Sequence, residues 1–261
     1  MSIPDNRVAV VTGASKGIGF AVALELARQG ADTFLVARDD DRLAEAAARI
    51  ERETGGRSAF AAADLSTASG CAGVADAVLD AFGGVDILVN NAGATRAGRF
   101  AAQPDADWIE GFALKFHGAV RLTRLLWPEL VKRSGSVVNV GGGAARTPAP
   151  GFLVGGAVNA ALANFTKGLA ALGIEEHVNV NIVHPGMTVT ERMEDLLKAQ
   201  AADGGTDLET ARATAIAREG VRRLGEPEDV AALVAFLCSP AARHIQGTAI
   251  AVDGGATRGV F

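Results

Sequence analysis

The chain has 261 residues, 25 Lys plus Arg against 30 Asp plus Glu, and a formal net charge of −5, a balance that offers no electrostatic footprint for nucleic acid or an anionic membrane. Hydrophobic residues at 49% beside charged residues at 21% exclude a disordered chain. Tyrosine is absent, which excludes a phenol as acid or base, while the 32 glycines exceed the roughly 18 of average usage.

The N-terminal Met1-Ser-Ile-Pro-Asp-Asn-Arg7 runs into an apolar segment without a secretory h-region. Short β-branched runs then alternate with segments of helical period. Strand Val8–Val11 is followed by helix Ile18–Gln29, which stops at Gly30. Strand Thr33–Val36 precedes helix Asp41–Glu53, and strand Ser58–Ala62 precedes helix Cys71–Phe82. Next come strand Ile87–Val89, a long helix Asp105–Lys132, strand Ser136–Val140 and helix Leu153–Leu172. Strand Val178–Val183, helix Pro227–Cys238 and strand Thr248–Val252 complete the series.

This alternation predicts a Rossmann-type α/β fold: a doubly wound parallel sheet of about seven strands with helices on both faces. No repeat or linker divides the chain, so residues 1–261 read as a single dinucleotide-binding domain. The segment Lys198–Glu219 breaks the rhythm around Asp203-Gly204-Gly205 and reads as a helical lid, spanning about 188–219. Thr147–Thr166 carries no charge, but its two prolines, three glycines and two asparagines argue against a membrane span. Cys71 and Cys238 fit no disulfide or metal pattern, so the expectation is buried thiols, no metal and a cytoplasmic setting.

The first strand–helix junction carries the chemistry. Val8-Ala-Val-Val-Thr-Gly13-Ala-Ser15-Lys16-Gly17-Ile18-Gly19 is a strand, a glycine turn and a helix start. Gly13 permits the tight turn, Gly17 and Gly19 allow close approach, and the helix N-terminus offers free N–H groups to a pyrophosphate.

Thr12-Gly-Ala-Ser-Lys-Gly-Ile-Gly19 resembles the cofactor motif of the short-chain dehydrogenase/reductase family. Asn90-Asn91-Ala92-Gly93 is similar to the motif after that family's fourth strand, and Asp64-Leu65 to its adenine-holding pair. Pro185-Gly186 with Thr188 and Thr190 resembles the segment flanking the nicotinamide, and Val252-Asp-Gly-Gly255 the end of the last strand. The resemblance covers almost the whole chain and implies an oxidoreductase acting on a small carbonyl or alcohol.

The second strand ends Leu35-Val36-Ala37-Arg38, without the carboxylate an NAD-selective site uses to grip the ribose hydroxyls. Arg38 and Lys16 instead supply two cations that suit a 2′-phosphate, so NADP(H) is expected over NAD(H).

In the resembled family catalysis depends on an Asn, a Ser and a Tyr-x3-Lys pair. Here Lys115 stands at the Asn position within Asp107–Gly118, Gly142 at the Ser position, Gly155 at the Tyr position and Asn159 at the Lys position. Lys115 is the candidate replacement acid–base group, because burial and a cationic nicotinamide both lower an amine pKa. Asn159 retains capacity for a ribose hydrogen bond. Gly141–Gly143 and Gly155-Gly156 either open space and expose N–H donors or serve close packing. His117 is expected on another helix face, His184 as a packed strand-end residue, and Thr95, Arg96 and Arg146 in loops at strand ends.

Two functions stay open: an atypical NADP(H)-dependent oxidoreductase, or a nucleotide-binding protein without redox turnover, such as a partner subunit or a non-redox catalyst. The long apolar-faced helices imply, through the resemblance, a homodimer or homotetramer.

Overall fold

In the computed structural model, Ile3 and residues 6–259 are described. Met1, Ser2, Pro4 and Asp5 of the N-terminal reading lie outside the described residues. Seven strands form one parallel sheet: β1 (Val8–Thr12), β2 (Asp32–Ala37), β3 (Ser58–Ala62), β4 (Ile87–Asn90), β5 (Ser136–Val140), β6 (Asn179–Pro185) and β7 (Ala249–Val252). Their order is β3-β2-β1-β4-β5-β6-β7. The order reverses between β1 and β4, where Ala9, Val10 and Val11 pair with Ile87, Leu88 and Val89. A crevice opens beyond the carboxyl ends of strands at such a reversal.

Helices cover both faces. On one lie α1 (Gly17–Arg28), α2 (Asp40–Thr54) and α9 (Pro227–Cys238), on the other α3 (Ala68–Phe82), α5 (Ala119–Lys132) and α6 (Leu153–Glu175). Each packs an apolar stripe against strands buried on both sides, which explains the near-continuous Val, Ile and Leu runs. The α2 start is set by Asp39, whose carboxylate accepts from the Arg42 N–H at 3.1 Å, and its end by Gly55 at φ 73°.

The predicted helix Asp105–Lys132 is interrupted. It consists of α4 (Asp105–Gly111), a π-helical segment Phe112–Gly118 and α5. Glycines bracket the wide turn, and both are needed for packing. A Cβ on Gly111 would lie 2.9 Å from Val154 Cγ1, and one on Gly118 would lie 2.7 Å from the Leu65 carbonyl oxygen. Single wide turns of this type concentrate at functional sites.

A buried polar chain fixes α5 and α6 against the sheet. Asn90 Nδ2 donates to Thr123 Oγ1 at 3.0 Å and to Asn139 Oδ1 at 2.9 Å, and Asn139 Nδ2 donates to Thr166 Oγ1 at 2.8 Å. Paired in this way, interior amides set the register of a helix on a sheet.

The segment expected as a helical excursion is two helices, α7 (Glu191–Asp203) and α8 (Leu208–Glu219), whose Leu197 and Ala215 share a buried cluster with Leu224. No helix among the described residues is long and apolar enough to cross a membrane. Among the same residues no group of His, Cys, Asp and Glu could hold a metal ion.

Candidate active site

The glycine loop joins β1 to α1. Gly13 and Gly17 take φ of 67° and 57°, the left-handed region that costs glycine nothing. At Gly19 a Cβ would come 2.1 Å from the Gly13 carbonyl oxygen, so the loop closes only on a hydrogen. Lys16 takes the N-cap position of α1 in extended backbone and gives no side-chain cap hydrogen bond. The α1 N-terminus is therefore left to an anion. Ser15 and Ile18 are half-buried beside it.

Two side chains weld this loop to the one after β4. Thr12 Oγ1 accepts from the Asn91 and Ala92 N–H groups, both at 2.9 Å, and Asn91 Nδ2 donates to the Thr12 and Gly13 carbonyls at 2.9 and 3.3 Å. Asn91 thus acts on the loop backbone. Beyond the end of β3, Asp64 accepts from the Ser66 N–H at 3.0 Å. That bond, with the Arg38 charge nearby, holds its carboxyl below the usual range. Leu65 is buried beside it.

Arg38 is exposed and has no ion pair or hydrogen bond among the described residues. Lys16 is committed elsewhere: its ammonium pairs with Glu191 Oε2, and Arg42 Nη1 meets the same oxygen at 3.1 Å. Both partners were missed by sequence reasoning, since nothing in residue spacing connects Glu191 with a loop so far away in the chain. On the opposite wall, Gly186 N–H donates to the Val252 carbonyl at 3.0 Å, with Pro185 ending β6. Thr188 Oγ1 donates to the Gly186 carbonyl at 3.2 Å. Thr190 caps α7 by accepting from the Met193 N–H at 3.3 Å, and its Cγ2 faces Gly17.

The substrate-side cluster gathers at the ends of β5 and β6. Lys115 lies on the π-helical segment, its stem under Gly93, where a Cβ would come 2.8 Å from Lys115 Cδ. Its ammonium donates to the Gly141 carbonyl at 3.0 Å. Burial first, and the Arg192 charge second, pull its pKa down to about 8. The ammonium therefore does not snorkel to solvent. Arg192 itself donates to the Thr95 carbonyl at 2.7 Å.

His184 is 1% exposed. Its Nδ1 accepts from the Gly142 N–H at 3.0 Å, so the neutral ring carries its proton on Nε2. Burial, then the charges of Arg146 and Lys115, push its pKa down to about 4. Asn159 is buried against Gly142, where a Cβ would come 2.8 Å from Asn159 Nδ2. Asn159 Oδ1 and His184 Nε2 are both buried without a hydrogen-bond partner among the described residues.

Of the two readings of the glycines in this cluster, open space or close packing, the contacts favour packing. A Cβ on Gly155 would meet the Phe152 ring at 2.0 Å, so Phe152 fills that place, and one on Gly141 would lie 2.6 Å from His184 Nδ1. The Gly141 and Gly142 N–H groups are engaged by the Val183 carbonyl and His184. Close packing, not an exposed donor set, accounts for Gly141, Gly142 and Gly155. Arg96 pairs with Asp107 and Glu110 at 3.5 and 3.8 Å, and Arg146 donates to the Ala249 carbonyl at 2.9 Å. His117 is exposed, its ring edge-on to Phe116.

These features have relatives. The family model described as "Enoyl-(Acyl carrier protein) reductase" matches residues 13–257. An uncharacterized oxidoreductase of Mycobacterium tuberculosis is 36% identical over 255 residues, covering 97% of this chain and 93% of the relative. Among solved structures, L-sorbose reductase from Gluconobacter frateurii, complexed with NADPH and L-sorbose, superposes with a TM-score of 0.96 at 35% identity, covering 100% of this chain and 99% of the other. A short chain dehydrogenase from Burkholderia cenocepacia in complex with NADP superposes with a TM-score of 0.85 at 34% identity, covering 97% and 98%. Sheet order, glycine loop and these matches agree, and the chain belongs to the short-chain dehydrogenase/reductase family of oxidoreductases.

Proposed function

We propose that this chain is an NADP(H)-dependent oxidoreductase for a small carbonyl or alcohol substrate, and that it manages the reaction's proton with Lys115 instead of a Tyr-Lys pair. The carrying observation is the Lys115 ammonium, turned inward onto the Gly141 carbonyl at 3.0 Å with its pKa pulled down to about 8. A group poised there exists in both protonation states near neutrality, which general acid–base work requires.

The residues present fit the cofactor. Gly19 leaves room only for a hydrogen, α1 presents an N-terminus without a side-chain cap, and Arg38 is an exposed cation without a partner among the described residues. Gly13, Ser15, Lys16, Gly17, Ile18 and Gly19 would cradle the phosphates, Arg38 with Lys16 would meet the 2′-phosphate, and Asp64-Leu65 the adenine. Asn91, Ala92, Gly93, Asn159, Pro185, Gly186, Thr188 and Thr190 would line the nicotinamide and ribose. The preference for NADP(H) over NAD(H) rests on these cations and on the NADPH and NADP bound by the two structural neighbours.

When bound, the cofactor supplies or accepts the hydride. For reduction, the Lys115 ammonium donates a proton to the substrate oxygen. For oxidation, the neutral amine takes it back. The Gly141 carbonyl holds Nζ in place, and Gly93 admits the Lys115 stem. Compared with the family pattern, an amide and an ammonium have exchanged helices: Lys115 stands where the family has Asn, and Asn159 where it has Lys.

Residues 1–261 work in this reading as one unit, with α7 and α8 as the substrate lid. A homodimer or homotetramer is supported by Ile109 at 62% exposure, Leu125 at 41% and Leu172 at 42%, on α4, α5 and α6. A cytoplasmic setting is supported by two free buried thiols, with the Cys238 pKa pushed up to about 12 by burial.

The test is Lys115→Met, assayed with NADPH against a carbonyl panel that the wild type turns over. Turnover is expected to fall at least about a hundredfold, with NADPH affinity within twofold. Unchanged turnover removes Lys115 from the mechanism. A wild type that binds NADPH but never oxidises it points to the nucleotide-binding protein without redox turnover.

A further inference from the structure

Lys16 and Arg42 form a cation pair of which the proposed cofactor contacts use only Lys16. The two cations come from different elements, the glycine loop and the first turn of α2, and converge on one carboxylate oxygen, Glu191 Oε2. Convergence of an ammonium and a guanidinium on a single oxygen is the geometry of an anion site. Here the anion is internal, supplied by the first residue of α7.

Glu191 is not held there by any burial requirement. Its side chain is 57% exposed, and those of Lys16 and Arg42 are 51% and 45% exposed. Pairs this wet are worth little individually, so an anion of higher charge with several acceptor oxygens displaces a carboxylate from them. Arg42 keeps a second contact with Asp39 at 3.5 Å, which holds its guanidinium at the start of α2, close in sequence to Arg38 at the end of β2.

We propose that Lys16 and Arg42 form an exchangeable anion site in which Glu191 holds the place of a cofactor phosphate, making Arg42 and Glu191 determinants of cofactor affinity and selectivity. The inference rests on the NADP(H) reading above and deepens it. The phosphate has two sources in that cofactor, the 2′-phosphate and the diphosphate, and NADH shares only the second.

The test is calorimetric titration of the full chain with NADPH and with NADH, for wild type, Glu191→Gln, Arg42→Met and the double variant. Glu191→Gln is expected to tighten NADPH about three- to tenfold, the range that two weak surface pairs supply. An effect confined to NADPH assigns the site to the 2′-phosphate, whereas an equal effect on NADH assigns it to the diphosphate. Arg42→Met is expected to weaken the same ligands several-fold, and Glu191→Gln to gain less in the Arg42→Met background than alone. A purely structural salt bridge predicts the reverse: lowered melting temperature with affinity unchanged or weakened. That result overturns the exchange while leaving wild-type NADPH binding, and the proposed function, intact. A wild type that binds neither nucleotide overturns both.

Discussion

Between β1 and β4 the cleft is made of backbone. Gly13, Gly17 and Gly19 shape it, and the contacts that fix it run from Thr12 and Asn91 to main-chain N–H and carbonyl groups. Between β5 and β6 it is made of side chains: Lys115, His184, Asn159 and Phe152 crowd around glycines, with two buried polar atoms left without a partner among the described residues. A backbone site tolerates little variation at its glycines, because Gly13 and Gly17 take positive φ and a Cβ on Gly19 collides with backbone. A side-chain site is rebuilt by trading one side chain for another that fills the same volume. On the reading proposed above, that difference accounts for a chain that keeps the loop glycines while carrying Lys115, Gly142, Gly155 and Asn159 at the positions assigned to the family's catalytic groups.

The contrast is broken most severely at Gly19. A methyl group there would stand 2.1 Å from the Gly13 carbonyl oxygen, with no flexible side chain able to give way. Gly19→Ala is expected to cost about 1–3 kcal/mol through overpacking, and to weaken NADPH at least a hundredfold by calorimetry. Affinity within twofold of wild type would show that side chains, not backbone, govern this half as well.

At Gly155 the same kind of substitution meets a side chain that can be removed. The Phe152 ring lies 2.0 Å from the position of an added Cβ. Gly155→Ala should therefore destabilise by about 1–3 kcal/mol, a fall of several degrees in melting temperature. In the Phe152→Ala background that penalty should drop by more than half, since the colliding atoms are gone. A penalty that persists in the cycle would mean that Gly155 answers to its helix rather than to Phe152.

These two glycines also mark what is legible without coordinates. The Gly13–Gly19 loop could be read because its function is written in backbone conformation, and only glycine satisfies it. The strands and helices followed from period and from punctuation such as Gly30 after the first helix. At Gly155 open space and close packing stayed undecided, because no local pattern reports that Phe152, three residues earlier, turns its ring onto that position. The π-helical segment was read as plain helix for a similar reason. The glycines that bracket it approach Val154 and Leu65 closely, contacts between elements distant in the chain. Lys115 was located through its flanking residues. Its hydrogen bond to Gly141, and the Arg192 charge that helps depress it, belong to tertiary structure alone. Glu191 was invisible for the same reason: it meets Lys16 across 175 positions.

The smallest expected effect is also the one that separates the two halves by sign of charge. Lys115 has its pKa pulled from 10.5 down to about 8 by burial and by Arg192. The folded state thus binds fewer protons than the unfolded chain between about pH 8 and 10.5, and stability rises with pH across that window. Below it the fold carries the full cost of an inward-turned ammonium, discounted because the residue is only half-buried. Lys115→Met removes that cost, so the variant should be more stable than wild type at pH 7 by about 1 kcal/mol, with the difference shrinking towards pH 10. His184 acts in the same direction at acid pH. Its pKa is pushed from 6.5 down to about 4, so its contribution is complete above pH 6.5 and is lost as the pH falls towards 4. Thermal unfolding of both proteins from pH 4 to 10 measures the two windows separately. A Lys115→Met advantage that stays constant between pH 7 and 10 would mean that the amine is solvated as an ordinary lysine, and the side-chain half of the cleft would lose the group on which its proposed chemistry depends.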